Sequence, residues 1–242
     1  MKRFEVGLKI IKKTGEYLKK EIDKVRKIKE LKYDVKLLQD LKSEKFIIEN
    51  IKNFYPDDSF LCEEEGLLGK DKENLWIIDP LDGSLNFSRG IPHYCISIAF
   101  IGKNENFGIV YDFLRKEIFT GIKGKGAFLN GKKICVSNLN KIEEAILSVG
   151  FMRSIKDINY GIKFLSDTIR KVKRIRIMGS ACLDICYVAC GRIDFAVYLE
   201  LKRWDYEGAK IILEEAGGNF EEKKVNGIKV FIASNGKLKL EF

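Results

Sequence analysis

The stretch W-I-I-D-P-L-D-G-S-L-N-F, residues 76–87, decides the fold and the chemistry of this chain. Its first three residues are apolar and predict a buried strand. Pro80 fixes its own φ and biases the preceding Asp79 away from helix, so we expect the strand to stop there. A second carboxylate, Asp82, follows almost at once.

This loop carries donors for a metal and for a phosphate. The Asp79 and Asp82 carboxylates and the Leu81 carbonyl can converge on one point, an all-oxygen set of the kind that Mg²⁺ prefers. Gly83 and Ser84 follow where we expect a helix to begin, and free backbone N–H groups there suit a phosphate. D-P-x-D-G is also good turn and helix-cap sequence, so the loop alone leaves a plain turn open.

Three further segments share a pattern with this one: S-F-L-C-E-E at 59–64, G-K-G-A-F-L-N-G at 124–131 and W-D-Y-E-G-A-K-I-I-L-E-E-A-G-G at 204–218. Together with 76–87 they resemble the motifs of the inositol monophosphatase family, in order and in separation. Ser84 stands where that family usually has Thr. The resemblance covers nearly the whole chain and implies a layered α-β-α-β-α fold, with two sheet-rich halves meeting at the metal site.

Hydrophobic periodicity is consistent with that class. Amphipathic patterns predict helices at about 3–27 and 37–54, and Asn130–Gly131 predicts a hairpin turn. The second half alternates strands with helices, one of them at 205–216, which means α+β or α/β. We treat 1–242 as a single phosphatase unit with two subregions. These subregions are about 1–140, with helices and an N-terminal sheet, and about 141–242, the C-terminal α/β part.

Composition and charge narrow the class of protein. The chain has 242 residues and 45% hydrophobic content, enough for a sizeable core. No apolar stretch reaches the roughly 18–20 residues of a membrane span, and no signal-peptide pattern opens the chain, so we expect a cytoplasmic protein. The net charge is +9, but acids are interspersed with the lysines. The basic run 19–32 continues a helical pattern as a solvated face, and 171–176 is a second dense run. Nucleic-acid binding is unlikely, whereas an anionic small substrate would benefit from the field.

The six cysteines and the single histidine suggest no reactive site. Cys182, Cys186 and Cys190 share a helical face. We interpret them as packing residues and not as a metal or cluster site, because their spacing spreads three thiolates along ~12 Å of helix. His93 lies in a loop after I-P, and the sequence suggests no partner for it.

Phosphate ester hydrolysis is a problem of charge that divalent ions address by neutralising the phosphate, activating water and stabilising the leaving oxygen. Two or three Mg²⁺ ions need carboxylates from separate segments. The resemblance implies the metal ligands Glu63, Asp79, the Leu81 carbonyl, Asp82 and Asp205. Glu64 and Glu65 are rivals to Glu63. Strand alternation points Glu63 and Glu64 to opposite faces, and the family pattern selects Glu63.

The resemblance also assigns catalytic and substrate roles. Ser84 would orient the attacking water, with Glu63 and Asp40 as the acids near it. Asp40 could also be a solvated helix carboxylate. The residues implied at the phosphate and the substrate are Asp82, Gly83, Ser84, Gly179, Ser180, Ala181, Tyr198 and Asp205. Arg176 matches a family arginine that is structural or that contacts an anion.

The substrate rim departs from the family. Tyr198 stands where the family usually has a Glu that contacts a sugar-alcohol hydroxyl, and the nearest acid is Glu200. Arg203 replaces a common Pro, and Glu207 a common Ala. A phenol could donate one hydrogen bond, and its ring could pack against the face of a sugar. We therefore expect relaxed selectivity among substrates.

The expected function is Mg²⁺-dependent hydrolysis of small phosphate monoesters by metal-activated water. The expected substrates are inositol-1-phosphate and related sugar or polyol phosphates. The alternatives are fructose-1,6-bisphosphatase as the main activity, or a non-catalytic or nucleic-acid-binding relative. The resemblance further implies a homodimer and inhibition by Li⁺.

Overall fold

The computed structural model describes residues 2–30, 35–70, 73–151 and 155–239. Within these residues the chain forms six α-helices, fifteen strands and three short 3₁₀ turns. The helices are α1 Arg3–Glu21, α2 Leu38–Lys52, α3 Ser84–Ser88, α4 Ile155–Thr168, α5 Ala181–Ala189 and α6 Glu207–Glu215.

The strands form a two-stranded ribbon and two larger sheets. The ribbon pairs β1 Lys27–Glu30 with β2 Val35–Leu37. The eight-stranded sheet has the order β10-β9-β8-β7-β6-β5-β3-β4, in which only β3 and β5 pair in parallel. Its strands are β3 Ser59–Cys62, β4 Gly66–Leu68, β5 Asn74–Asp82, β6 Cys95–Gly102, β7 Asn106–Asp112, β8 Glu117–Ile122, β9 Gly126–Leu129 and β10 Lys132–Ile134.

The second sheet has five strands in the order β12-β11-β13-β15-β14, with β11 parallel to both of its neighbours and β15 antiparallel to both of its own. Its strands are β11 Ile146–Gly150, β12 Arg174–Arg176, β13 Phe195–Leu199, β14 Asn219–Val225 and β15 Ile228–Ser234.

Buried apolar side chains join these elements into layers. Helices α1 and α2 pack on one face of the eight-stranded sheet around Trp76 and Phe107. Helices α5 and α6 lie between the two sheets, where Ile185 and Ile212 meet Val110 and Phe231. Helix α4 covers the outer face of the five-stranded sheet. The α-β-α-β-α layering expected from the resemblance is therefore confirmed.

Several predicted boundaries shift, each for a local reason. The helix expected over 3–27 ends at Glu21, because the Arg26 carbonyl accepts the Leu38 N–H and draws residues 27–30 into the ribbon. The basic run 19–32 is therefore partly an exposed strand and not one helical face. The helix expected over 205–216 begins at Glu207, after a 3₁₀ turn. The hairpin turn at Asn130–Gly131 is confirmed, with φ of 50° and 78°.

The cysteines of α5 lie in the core between the sheets. Cys182 and Cys186 are buried and Cys190 is partly buried. Burial raises the pKa of the Cys186 thiol well above its ordinary value, so it stays a neutral packing group. Among the described residues, no helix is both long and apolar enough to cross a bilayer.

Candidate active site

A break in the pairing of β5 with β6 positions the two aspartates. Asp79 lies opposite Ser97 and Asp82 opposite Cys95, so three steps along β5 match two along β6. This is a β-bulge, and it falls at Pro80, which has no N–H to give to the ladder. The strand expected to stop at Asp79 therefore continues to Asp82. Both aspartates line one cleft of about 320 Å³.

Two further carboxylates reach the same end of that cleft. Glu63 follows β3 and Asp205 ends the 3₁₀ turn before α6. Glu64 points elsewhere, because its carboxylate pairs with Lys36. Glu63 and Glu64 lie in the turn after β3, so the strand alternation expected to separate them does not apply, and the turn itself directs them differently.

Burial and mutual repulsion set the charge state of this carboxylate cluster, which we define as Glu63, Asp79, Asp82 and Asp205. Asp79 is buried, and desolvation raises its pKa well above the ordinary value, with Glu63, Asp82 and Asp205 adding to the rise. Desolvation also raises the pKa of Asp82 to about 6. A divalent cation would relieve this repulsion, and four carboxylates with a carbonyl form the hard oxygen set that Mg²⁺ takes. Among the described residues, no three His, Cys, Asp or Glu side chains lie close enough together to hold one ion between them.

The start of α5 holds Asp82 in place. The Ser180 hydroxyl donates to Asp82 Oδ2 over 2.6 Å, and the Cys182 N–H donates to the same oxygen over 2.7 Å. Each carboxylate oxygen has two lone pairs, so Asp82 retains acceptor capacity toward the cleft. Gly179 and Ala181 line the cleft as predicted, whereas Ser180 is fully buried behind Asp82 and does not line it.

Ser84 and Asp40 lie next to each other beside the cluster. Ser84 Oγ is 3.1 Å from Asp40 Oδ1 and 2.8 Å from the Leu81 carbonyl oxygen. Asp40 also accepts the Leu37 N–H over 2.9 Å and is only 3% exposed. The alternative of a solvated helix carboxylate is therefore wrong.

Gly83 has a conformation and surroundings that only glycine accommodates. Its φ of 92° is left-handed, and a Cβ there would lie 2.9 Å from the His93 carbonyl oxygen. The helix expected near this point is α3, which begins at Ser84. Gly83 and Ser84 both line the cleft.

The Tyr198 side chain lines the cleft with its ring, but its hydroxyl is turned inward. That hydroxyl donates to Asp184 Oδ2 over 2.5 Å. Burial, then the Asp184 charge, raises the pKa of Tyr198 well above its ordinary value. The ring lies against Gly150, where a Cβ would come within 2.0 Å of a ring carbon. The expected hydrogen bond from this phenol to a substrate is therefore not available in this arrangement.

Asp184 is the centre of a buried network that the sequence did not reveal. It accepts hydrogen bonds from the Ser148 hydroxyl and the Tyr198 hydroxyl. His93 Nε2 lies 2.8 Å from its Oδ1, so the lone histidine does have a partner. The network joins β11, α5, β13 and the loop before β6. The one available signal was an acid among apolar residues in A-C-L-D-I-C-Y-V-A.

Two other supporting residues were also missed. Buried Glu44 accepts the N–H groups of Glu64 and Glu65 over 3.0 and 2.8 Å, which holds the turn after Glu63. Asn86 Nδ2 donates to the carbonyls of His93 and Met178, both over 2.8 Å. It thereby ties the loop after α3 to the segment before α5.

The other residues considered at the substrate rim, together with Arg176, lie away from the cleft. Glu200 accepts the Lys229 N–H over 2.8 Å at the turn end of β15. Arg203 pairs with Glu207 over 2.7 Å. Arg176 is exposed and donates to the Ile175 carbonyl. None of these four side chains lines the cleft among the described residues.

Comparison with known proteins agrees with this geometry. The model of the inositol monophosphatase family matches residues 2–237, and the chain belongs to that family. A fructose-1,6-bisphosphatase/inositol-1-monophosphatase of Thermotoga maritima is 36% identical, over 98% of this chain and 92% of that protein. A Nus factor SuhB of Pasteurella multocida is 40% identical, over 74% of this chain and 68% of that protein. The solved structure of an IMPase of Thermotoga maritima superposes with a TM-score of 0.86 at 34% identity, over 98% of this chain and 93% of that one. The protein is a phosphoric monoester hydrolase of a family that is generally metal-dependent.

Proposed function

We propose that this protein hydrolyses small phosphate monoesters with Mg²⁺. The observation that carries the proposal is the carboxylate cluster: four acids from three segments of the chain line one cleft, and burial raises the pKa of Asp79 and of Asp82, with repulsion from Glu63, Asp82 and Asp205 adding to the rise at Asp79. Such a cluster is costly without a cation. A purely structural protein would have no reason to keep it.

Glu63, Asp79, Asp82 and Asp205, with the Leu81 carbonyl, would hold two or three ions. Bound Mg²⁺ would neutralise the phosphate, lower the pKa of a water molecule and stabilise the leaving oxygen. The bulge at Pro80 turns two of these carboxylates and the carbonyl into the cleft together.

The chain's own groups would position the other reactants. The Ser84 hydroxyl donates its hydrogen bond toward Asp40 and the Leu81 carbonyl, which leaves the Ser84 lone pairs to orient a water between Ser84 and Glu63. The backbone N–H groups of Gly83 and Ser84 would hold the phosphate. Gly179 and Ala181, which form part of the cleft wall, would contact the leaving group together with Asp205.

The names of the relatives supply two test substrates, inositol-1-phosphate and fructose-1,6-bisphosphate. The test is phosphate release from both esters with and without Mg²⁺. We expect release that requires Mg²⁺ and stops with excess EDTA, and that persists in Glu200→Gln, a matched loss of an acid outside the cleft. Full activity in excess EDTA would contradict the proposal. A millimolar Li⁺ titration at limiting Mg²⁺ tests inhibition, which we expect to slow product release.

A second candidate function rests on a basic surface. Residues 170–176 follow α4 and include the edge strand β12. Their exposed cations are Arg170, Lys171, Lys173, Arg174 and Arg176. Relatives named Nus factor SuhB suggest a regulatory role beside catalysis or in place of it. Binding of a short RNA that weakens steeply with salt, and further in Lys171→Glu/Arg174→Glu, would support this candidate; no binding at low salt would remove it.

The homodimer and the cytoplasmic location remain parts of the proposal. Several large apolar side chains are exposed in the single chain, Ile91 and Ile162 among them, and a second copy could cover them. Sedimentation at micromolar concentration should give twice the chain mass of 27.8 kDa.

A further inference from the structure

The described residues that line the cleft are of two chemical kinds. All four acidic side chains that line it belong to the carboxylate cluster. The rest of the lining is almost entirely apolar. We call this part the apolar wall, and it consists of Leu85, Val149, Phe151, Ile158, Ile177 and Leu201, beside the Tyr198 ring.

The apolar wall offers little to a hydroxyl-rich or doubly charged leaving group. Among the described residues that line the cleft, none is Lys or Arg, so a second phosphate would meet no cation there. Outside the carboxylate cluster, the polar side chains among the described lining residues are Ser84 and Tyr198, and the Tyr198 hydroxyl already donates to Asp184. Inositol hydroxyls placed against this wall would lose water without gaining partners.

An apolar leaving group would gain from the same wall. Ile177 is 66% exposed and Leu85 is 49% exposed, although both line the cleft. Contact with a ring would remove their apolar surface from water. The Tyr198 ring packs against Gly150 and is only 5% exposed, so most of the accessible apolar surface belongs to Ile177 and Leu85.

We propose that the preferred substrates are phosphate monoesters whose alcohol carries an aromatic ring, with the ring on the apolar wall and the phosphate at the carboxylate cluster. This inference rests on the proposed function and names the substrate class of the same site. The selectivity would come from burial of the ring against Ile177 and Leu85, because the described residues that line the cleft offer no cation to a second phosphate.

The experiment compares benzyl phosphate with inositol-1-phosphate, because both leave as alkoxides and differ little in intrinsic reactivity. We expect kcat/KM for benzyl phosphate to be at least about tenfold higher, as expected from burial of a ring of that size. Ile177→Ser and Leu85→Ser should each lower the ratio of the two kcat/KM values roughly fourfold, the factor for one methylene-sized contact.

The matched controls are Leu67→Ser and Phe54→Ser, which remove apolar side chains of 68% and 47% exposure away from the cleft. They should leave the ratio unchanged, and the thermal melting of all four variants shows whether they fold. Wild-type preference for inositol-1-phosphate overturns the inference. An unchanged ratio of the two kcat/KM values in Ile177→Ser also overturns the inference. This holds even if sedimentation shows that Ile177→Ser breaks a dimer. Failure of the proposed function looks different, because no ester would then release phosphate with Mg²⁺.

Discussion

The carboxylate cluster lines the cleft, the Asp184 network lies outside its lining apart from Tyr198, and Asp79 of the first and Asp184 of the second are buried in opposite surroundings. Asp79 has acids among its neighbours, and its pKa rises through burial, Glu63 and Asp82. Asp184, fully buried, has Ser148, Tyr198 and His93 around it. A buried carboxylate surrounded by hydrogen-bond donors has a structural role, whereas one surrounded by other carboxylates forms a site for a cation. Substitution by the isosteric amide should therefore separate the two regions.

Asp79→Asn should have the largest effect on activity. Loss of one ligand from the carboxylate cluster should lower kcat/KM by about 10³-fold or more. The same change removes repulsion, so the metal-free protein should be at least as stable as the wild type. Phosphate release and urea unfolding in EDTA measure the two effects. A metal-free protein destabilised by Asp79→Asn, with activity retained, would contradict the assignment.

Asp184→Asn should show the reverse pattern. Both the Ser148 and Tyr198 hydroxyls donate to Oδ2, so an amide that keeps its oxygen there turns its NH₂ group toward His93 Nε2, and all three hydrogen bonds lose the carboxylate charge. We expect the free energy of unfolding to fall by about 2–3 kcal/mol and kcat/KM by less than about tenfold. The pair Asp79→Asn and Asp184→Asn forms a matched comparison. Equal loss of activity in both would mean that the Asp184 network belongs to the catalytic machinery.

The pH dependence of stability should distinguish the two regions without a change in fold. Burial raises the pKa of Asp82 from 3.8 to about 6 in the folded, metal-free protein. The folded state thus holds a proton that the unfolded state has already released. This contribution to stability is fully present below about pH 4 and is lost as the pH rises through about 6. Urea unfolding in EDTA should show that loss in the wild type and a flatter profile in Asp82→Asn. Identical profiles would contradict it.

Tyr198→Phe should have the smallest effect. It removes the hydrogen bond to Asp184 and keeps the ring, so we expect a loss of about 1 kcal/mol in stability. The ratio of kcat/KM for benzyl phosphate and inositol-1-phosphate should stay within about twofold, because the hydroxyl does not face the cleft. Tyr198→Glu would set a carboxylate against buried Asp184 and should destabilise the protein. A changed ratio in Tyr198→Phe would show that the hydroxyl does reach the substrate.

The carboxylate cluster was predictable because its members lie in short, distinctive segments. Asp79 and Asp82 flank a proline after an apolar run, and Asp205 follows a tryptophan before an amphipathic helix. Prolines and changes of hydrophobic pattern of this kind are visible in a single sequence. The adjacency of Ser84 and Asp40 was expected from the resemblance alone.

The Asp184 network could not be predicted in the same way. Its members come from residues 93, 148, 184 and 198, and only the packing of two sheets against α5 brings them together. The early end of α1 likewise depends on a tertiary contact, the pairing of residues 27–30 with β2. Apolar periodicity continues past Glu21, so the sequence pattern gave no sign of the ribbon.

The most direct test of the account is the position of a divalent ion in crystals of this protein. Mn²⁺ substitutes for Mg²⁺ in oxygen sites and is visible by anomalous scattering. We predict a strong anomalous peak at about 2.0–2.3 Å from oxygens of Glu63, Asp79 and the Leu81 carbonyl, with further density beside Asp82 and Asp205. Loss of the peak in Asp79→Asn crystals would agree with this prediction. Saturating Mn²⁺ that leaves the carboxylate cluster empty, or that binds only elsewhere, would contradict it.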